Sequence, residues 1–308
     1  MRKQNAEFCL FKTQNGSKMS EGNLNLSSLR EEIDSIDEQL HDLIVRRAEI
    51  AVAVRSSKGN SSIWRPAREA QILRRLIARH KGPFPRSTIV QLWREIVSAM
   101  VGIQGELKVA VYAPDGIYTC REMARDHFGA GTPLSLHSSA RAVLNSVQDG
   151  KATVGILPFP EDDEAAPWWT VLAAIETERR LSVCARLPFV PMAVDHRDAA
   201  LCVAKIEAEN SGDDKSFFVL HTSPQISRTR LQEAITAAGI KLLRLVGINE
   251  QLEDNTMFLL ELEGFIEPDD ARIAHLTNPD RGVAKDAFFL GVYATPFSSE
   301  IISNMGGP

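Results

Sequence analysis

Residues 26–58 read LSSLREEIDSIDEQLHDLIVRRAEIAVAVRSSK, with apolar side chains at Leu26, Leu29, Ile33, Ile36, Leu40 and Leu43, then Arg47, then Ile50 and Val54. Steps that alternate between three and four residues define one face of an α-helix. The pattern runs to Gly59-Asn60-Ser61-Ser62, roughly 33 residues, which is about 50 Å at 1.5 Å per residue. A small monomeric domain has no surface long enough to cover such a seam, so the helix calls for a second chain. Arg47 stands where the pattern wants leucine, and Lys58 follows three turns later on nearly the same face. Long cationic side chains can reach the edge of a coiled coil and stay solvated. Two of them set into one apolar seam also suit a bound anion, because burying both unpaired is costly.

Downstream, Pro66 is suited to a helix's first turn and opens a segment carrying Ile72, Leu73, Leu76 and Ile77, which ends near Lys81-Gly82-Pro83. A third helical face follows at Ile89, Leu92, Trp93, Ile96, Val97, Met100 and Val101, ending around Gly105, with Gln104 continuing the stripe at a position that predicts an apolar side chain. Arg68-Glu69 forms a charged pair in the first turn of the second helix, where solvated charge is ordinary.

From Leu107 the pattern changes to α/β. Strands are expected at 107–112 and 154–157, helices at 120–128 and 140–148, a surface loop at Glu161 to Trp169 with one or both tryptophans folded back, and short strands at 181–185, 200–203 and 217–220. Beyond Ile226, helix 231–238, strand 242–247, a turn at Glu253-Asp254-Asn255, strand 256–262, helix 269–276 and strand 287–293 predict a βαββαβ sandwich. The expected organisation is a disordered tail 1–25, a helical domain 26–106, an α/β domain 107–221, an α+β domain 222–298 and a tail 299–308.

Composition narrows the function classes. The 308 residues carry a net charge of -5, which gives no reason to expect nucleic acid or an anionic membrane as partner. Cys9, Cys120, Cys184 and Cys202 are scattered without metal-ligand or redox spacing, so no metal is expected and a reducing cytoplasm is inferred. The segment before Asn25 lacks the apolar core of a secretory signal, and Met19 is a second candidate start. No apolar run is long enough to span a bilayer. His127, His137, His196, His221 and His275 have no ligand spacing and read as surface or loop residues; Glu161-Asp162-Asp163-Glu164 reads as a solvated loop.

The stretches Leu29-Arg30-Glu31-Glu32-Ile33, Arg46-Arg47-Ala48-Glu49-Ile50-Ala51, Lys58, Arg65-Pro66-Ala67-Arg68-Glu69 and Trp93-Arg94-Glu95-Ile96 resemble the all-helical chorismate mutase family, and in particular the mutase domain joined to prephenate dehydratase in bifunctional enzymes. The resemblance covers 26–104 and implies an intertwined homodimer of three-helix domains. It also implies roles: Arg30 from the partner chain and Arg47 from the same chain on the two carboxylates of chorismate, Lys58 and Gln104 on the ether oxygen, Glu69 accepting from the ring hydroxyl, and Arg68 supporting that region. Met100 stands where the family often has a small polar residue that helps bind a carboxylate. The implied Claisen rearrangement to prephenate requires no cofactor; it needs the substrate held in a folded conformation and donors where charge develops on the ether oxygen.

Residues 107–221 resemble prephenate dehydratase in outline, a periplasmic-binding-like α/β fold, through Val109-Ala110-Val111-Tyr112-Ala113-Pro114 and Thr153-Val154-Gly155-Ile156-Leu157-Pro158. Pro160-Glu161-Asp162, Lys215-Ser216-Phe217 and Ile117 replace that family's catalytic motifs, and the region is short, as though most of a second lobe were missing. The resemblance therefore implies a degenerate, inactive dehydratase region. Residues 222–298 resemble an ACT regulatory domain, with Gly291-Val292-Tyr293 near the end; Arg228-Thr229-Arg230-Leu231 and Val246-Gly247-Ile248-Asn249 replace its phenylalanine-binding motifs. Two other readings fit the same residues: a working bifunctional mutase and dehydratase, and a non-catalytic dimeric scaffold or regulatory protein.

Overall fold

The computed structural model describes residues 25–58, 62–162, 164, 167–174, 181–190, 199–250 and 255–303. The expected tail 1–24, Cys9, Met19, the break at 59–61, Asp163, His196 and the turn residues 251–254 lie outside the described residues. Helix α1 spans Leu26–Lys58, the limits that its apolar period and the glycine after it predict. Asn25 starts it: the Asn25 Oδ1 accepts from the Ser27 N–H at 3.1 Å and the Asn25 carbonyl accepts from the Leu29 N–H, so the first turn's free donors are partly satisfied.

The chain divides into two compact units, Met1–Glu49 and Ile50–Pro308, and the division falls within α1. In the first unit the seam residues Ile33, Ile36, Leu40 and Leu43 are all exposed, Leu43 by 63%. A single chain leaves this seam uncovered.

In the second unit, α2 (Pro66–Arg79) and α3 (Arg86–Gln104) precede a nine-stranded sheet in the order β2-β1-β3-β5-β4-β9-β6-β8-β7. Its strands are β1 (Val109–Tyr112), β2 (Leu134–His137), β3 (Val154–Pro158), β4 (Ser182–Leu187), β5 (Ala200–Ala204), β6 (Asp214–Thr222), β7 (Leu242–Glu250), β8 (Asn255–Glu263) and β9 (Asp286–Ala294). Helices α4 (Thr119–Phe128), α5 (Ala140–Gln148), α6 (Trp168–Ala174), α7 (Arg228–Ala237), α8 (Ala271–Leu276) and α9 (Ser299–Ser303) complete it. No helix among the described residues is long and apolar enough to cross a membrane.

The first five strands form an α/β lobe in which β1 pairs in parallel with β2 and β3, while β5 runs antiparallel to both β3 and β4. Only residues 188–199 connect β4 to β5, too few to hold a second lobe. The last four strands, with α7 and α8, make the expected βαββαβ arrangement, antiparallel throughout. The expected limit at 221 falls one residue before the end of β6. The two halves are one sheet, joined by the single register pair Val183↔Gly291 between β4 and β9. Gly291 is needed there: its φ is +135°, and a Cβ would overlap the Val183 carbonyl oxygen and stand 2.5 Å from the Val183 nitrogen.

Helices α2 and α3 are built onto this sheet. Ala70, Leu73, Ile77 and Val90 form one core with Phe189, Ala294 and Phe297, and Trp64 and Val101 join the core beneath β1, β3 and β5. Arg74 of α2 fastens the packing with bonds to the Ser211 carbonyl (3.1 Å) and hydroxyl (2.9 Å), the Asp213 carbonyl (2.7 Å) and the Thr295 carbonyl (2.9 Å).

Three expectations are corrected. β2 lies in a stretch without a predicted strand: it is four residues after Pro133 in which Ser135 and Leu136 are both exposed, so apolar and polar side chains do not alternate between a buried and a solvated face. Within the expected loop 161–169, Trp168 already begins helix α6, where both tryptophans are buried and the Trp168 Nε1–H donates to the Pro158 carbonyl at 3.0 Å; burial of two indoles and the turn that Pro167 starts outweigh the acidic flank. The expected tail 299–308 begins with helix α9, held by Arg86 Nη1 on the Ile301 carbonyl at 2.7 Å and by Ile302 against the α2–α3 core.

Candidate functional site

The predicted site residues fall in both units. Arg30 and Arg47 belong to the first: Arg30 is exposed, and Arg47 is half-buried, which lowers its guanidinium pKa below the usual arginine range. Lys58 is the last residue of α1, and its side chain lies outside the described residues.

In the second unit, Arg68 is exposed and donates to Gln71 Oε1 at 3.3 Å. Met100 is buried and Gln104 half-buried; the Gln104 Nε2–H donates to the Met100 carbonyl at 3.1 Å, one turn back along α3. The residue at the Met100 position thus presents a backbone oxygen to the Gln104 amide, while its own thioether packs inward.

Glu69 differs from the solvated first-turn charge that its position suggests. It is 6% exposed, and its Oε1 accepts a short hydrogen bond from Arg94 Nη1. Arg94, equally buried, also donates Nη1–H to His127 Nε2 at 3.1 Å and lies over the Phe189 ring at 5.1 Å. An arginine can only donate, so His127 Nε2 is the acceptor and the ring proton sits on Nδ1. Burial, and then the neighbouring Arg94 charge, hold the His127 pKa well below the ordinary histidine range, so the ring is neutral. Burial also lowers the Arg94 pKa, and the Glu69 carboxylate opposes that shift.

This node joins three elements: Glu69 lies in the first turn of α2, Arg94 in mid-α3, and His127 in the last turn of α4, edge-on to Trp64 and Phe128. The surface reading of His127 is therefore corrected; it is 8% exposed because α3 and Trp64 cover α4. Arg94 has no place in the predicted set. Its signal was a basic residue inside the stripe Val90, Arg94, Val97, Val101, whose spacings of four, three and four lie on one helix face.

Elsewhere, the residues that replace the dehydratase motifs have structural partners. Ser216, fully buried, donates to the Gly264 carbonyl at 2.8 Å and accepts from the Ile266 N–H at 2.9 Å. Lys215 approaches Glu261 at 3.7 Å, and the Glu261 carboxylate accepts from the Tyr293 hydroxyl. Asp162 pairs with Arg228 at 2.7 Å. Among the described residues, no three His, Cys, Asp or Glu side chains converge as metal ligands.

Residues 29–105 match the family chorismate mutase type II, so a mutase-type helical domain occupies the N-terminal side of the chain. Similar proteins include the bifunctional chorismate mutase/prephenate dehydratase of Aquifex aeolicus strain VF5, 30% identical over 163 residues that cover 51% of this chain and 45% of the relative. That of Pseudomonas aeruginosa is 33% identical over 148 residues, 46% of this chain and 40% of the relative. The chain thus spans less than half the length of the curated relatives it matches. Among solved structures, prephenate dehydratase from Streptococcus mutans aligns with 62% of this chain and 98% of its own, at 15% identity and a TM-score of 0.45.

Proposed function

We propose that the chain is a chorismate mutase that converts chorismate to prephenate, works as a homodimer through α1, and acts in the cytoplasm without a cofactor. The observation that carries this reading is the family match over 29–105, an interval that contains all seven candidate residues. In this reading Arg47, with Arg30 of a second copy, binds the two carboxylates. Lys58 and Gln104 donate to the ether oxygen as its bond to carbon breaks. Glu69 accepts from the ring hydroxyl, Arg68 supports it, and Met100 lines the carboxylate end.

The chemistry fits these side chains. The rearrangement moves electrons within one molecule, so it asks for a compact substrate conformer and for hydrogen bonds that strengthen as negative charge grows. An amide donates at any pH, which frees Gln104 from the prior protonation that a glutamate would need. The exposed seam of α1 supports the dimer, because Ile33, Ile36, Leu40 and Leu43 gain nothing from solvent.

The test is chorismate depletion by the purified protein, with molar mass measured in parallel. Arg47→Ala and Lys58→Ala are expected to abolish turnover and leave a helical dimer; substantial residual turnover in either variant refutes the assignment.

A second reading, a working bifunctional enzyme, is favoured by the description of the relatives. The proposal here is that residues 107–221 no longer dehydrate prephenate. The reasons are that the lobe stands alone and that Ser216, at the position where the arginine of the dehydratase motif is expected, is occupied with the Gly264 carbonyl and the Ile266 N–H. Phenylpyruvate formed from prephenate at rates lost on changing Glu161 or Asp162 would decide for the bifunctional reading.

A further inference from the structure

The seam of α1 reads the same from both ends. Reflected about position 38, Leu26 falls on Ile50, Leu29 on Arg47, Ile33 on Leu43 and Ile36 on Leu40. Two copies of α1 laid antiparallel about a two-fold axis at that position set apolar against apolar along the seam, except where Leu29 meets Arg47. There the aliphatic stem of the arginine packs on leucine while its charged head reaches outward. A parallel pair in register would instead set Arg47 against Arg47 inside the seam, two like charges without a partner. In one chain the seam is bare, with Ile36 48% and Ile50 56% exposed.

The flanks of the seam carry complementary charge. Counted in heptads from Leu26, Glu32, Gln39 and Arg46 occupy one flank, and Arg30, Asp37 and Ile44 the other. In an antiparallel pair each flank meets its own copy. About position 38, Glu32 stands opposite Arg46 at both ends, and Gln39 opposite Gln39 at the centre. Glu32 and Arg46 are exposed and in no ion pair among the described residues, so both charges are available. On the other flank Asp37 meets its copy, where both carboxylates stay solvated. Sliding one helix by a heptad in one direction exchanges the Glu32–Arg46 pairs for Arg30–Asp37 pairs, but it shortens the overlap and leaves Ile50 bare. The opposite slide leaves Glu32 and Arg46 without an opposite charge and carries Arg47 inward against Ile36.

We propose that α1 pairs antiparallel with α1 of a second copy, centred at position 38, and that Glu32 and Arg46 set this register. This rests on the homodimer reading above and deepens it, because it separates the roles of two adjacent arginines. Arg46 is engaged by Glu32 of the second copy, whereas Arg47 keeps its place in the seam. The same register brings Arg30 of the second copy level with residue 46, about 1.5 Å from Arg47 along the helix axis. Each end of the pair thus gathers one guanidinium from either copy.

The experiment reads the dimer by fluorescence-detected sedimentation at low salt in wild type, Glu32→Arg, Arg46→Glu and the double variant Glu32→Arg/Arg46→Glu. All these positions lie on an exposed helix surface, so the fold is kept. Each single change turns two attractive pairs per dimer into repulsive ones and is expected to raise the dissociation constant about tenfold or more. The double change restores both pairs and is expected to return it to within about threefold of wild type. The two single variants, mixed, are expected to pair with each other in preference to themselves. In a Cys9→Ser background, a short bismaleimide is expected to bridge two copies of Gln39→Cys and to leave Glu38→Cys, on the outward face, unbridged. Single changes without effect, a double change that restores nothing, or no bridging at position 39 each overturn the register while leaving a dimer in place. A wild-type protein that stays monomeric overturns the dimer reading with it. A dimer of this register that leaves chorismate unconsumed overturns the mutase reading alone.

Discussion

Replacement of Gly291 by alanine tests the joint between the two halves of the sheet. Two costs combine there. The φ of +135° lies where an L side chain is strained by about 1–3 kcal/mol. The added methyl also meets backbone, the Val183 carbonyl and nitrogen, which no rotamer change can move aside. Together they are expected to cost on the order of 4 kcal/mol, among the larger effects of single substitutions. Two other glycines separate the terms. Gly239→Ala has a φ of +74° and open space, so it carries backbone strain alone, about 1–2 kcal/mol. Gly247→Ala meets only the edge of the Phe258 ring, which can turn at about 0.5–1.5 kcal/mol. The measurement is urea unfolding of all three variants, with melting temperatures in support; about 2–4 °C per kcal/mol applies at this size, so Gly291→Ala should melt lower by roughly 10 °C. Native hydrogen exchange should also show the Val183 amide losing protection in this variant alone. A Gly291→Ala protein within about 1 kcal/mol of Gly239→Ala would refute the reasoning and mean that the joint yields easily.

Ser216→Ala should destabilise by about 2–4 kcal/mol, because the Gly264 carbonyl and the Ile266 N–H both lose a buried partner; chemical denaturation reads this directly, and a neutral effect would mean that water replaces the hydroxyl. The Cys120 thiol, pushed up to about 11 by burial, stays protonated at pH values well below that, so the reactive thiolate is scarce in the folded state. Peptide-resolved iodoacetamide labelling at mildly alkaline pH should leave Cys120 largely unmodified until the protein is unfolded, and native labelling should quicken as pH rises toward the shifted value; labelling of the folded protein at the rate of an unshifted thiol would contradict the burial.

The local elements were largely legible. Period 3.6 with a glycine break located α1 to its ends, and Pro66 marked the start of α2, because these signals are local to the backbone. The buried face of α3 was read in part: Val90, absent from the expected stripe, is buried, whereas Leu92 is 47% exposed. The stripe anticipated a helix packed in a bundle, and the sheet claims an adjacent face instead. The Glu69–Arg94–His127 node was not legible for a related reason. Its partners are 25 and 33 positions apart, and periodicity carries no information about which polar residues meet when two modules pack. Arg47, Lys58 and Gln104 stood out in the apolar pattern and their roles came from the resemblance, but the sequence alone could not show that Glu69 is enclosed while Arg68, its neighbour, is exposed. The joining of two sheets into one was equally hidden, since it depends on one residue pair between β4 and β9.

The four hydrogen bonds of Arg74 have a consequence for modularity. Their acceptors, at Ser211, Asp213 and Thr295, all lie far along the chain from α2, and Leu73, Ile77 and Val90 find their apolar contacts at Phe189, Ala294 and Phe297. The helical part is therefore a graft rather than a cassette. Cut free near residue 106, it would carry an orphaned guanidinium and a bare apolar flank on α2 in addition to the open seam of α1, so any transplant of this module into another protein has to bring a substitute for the sheet with it.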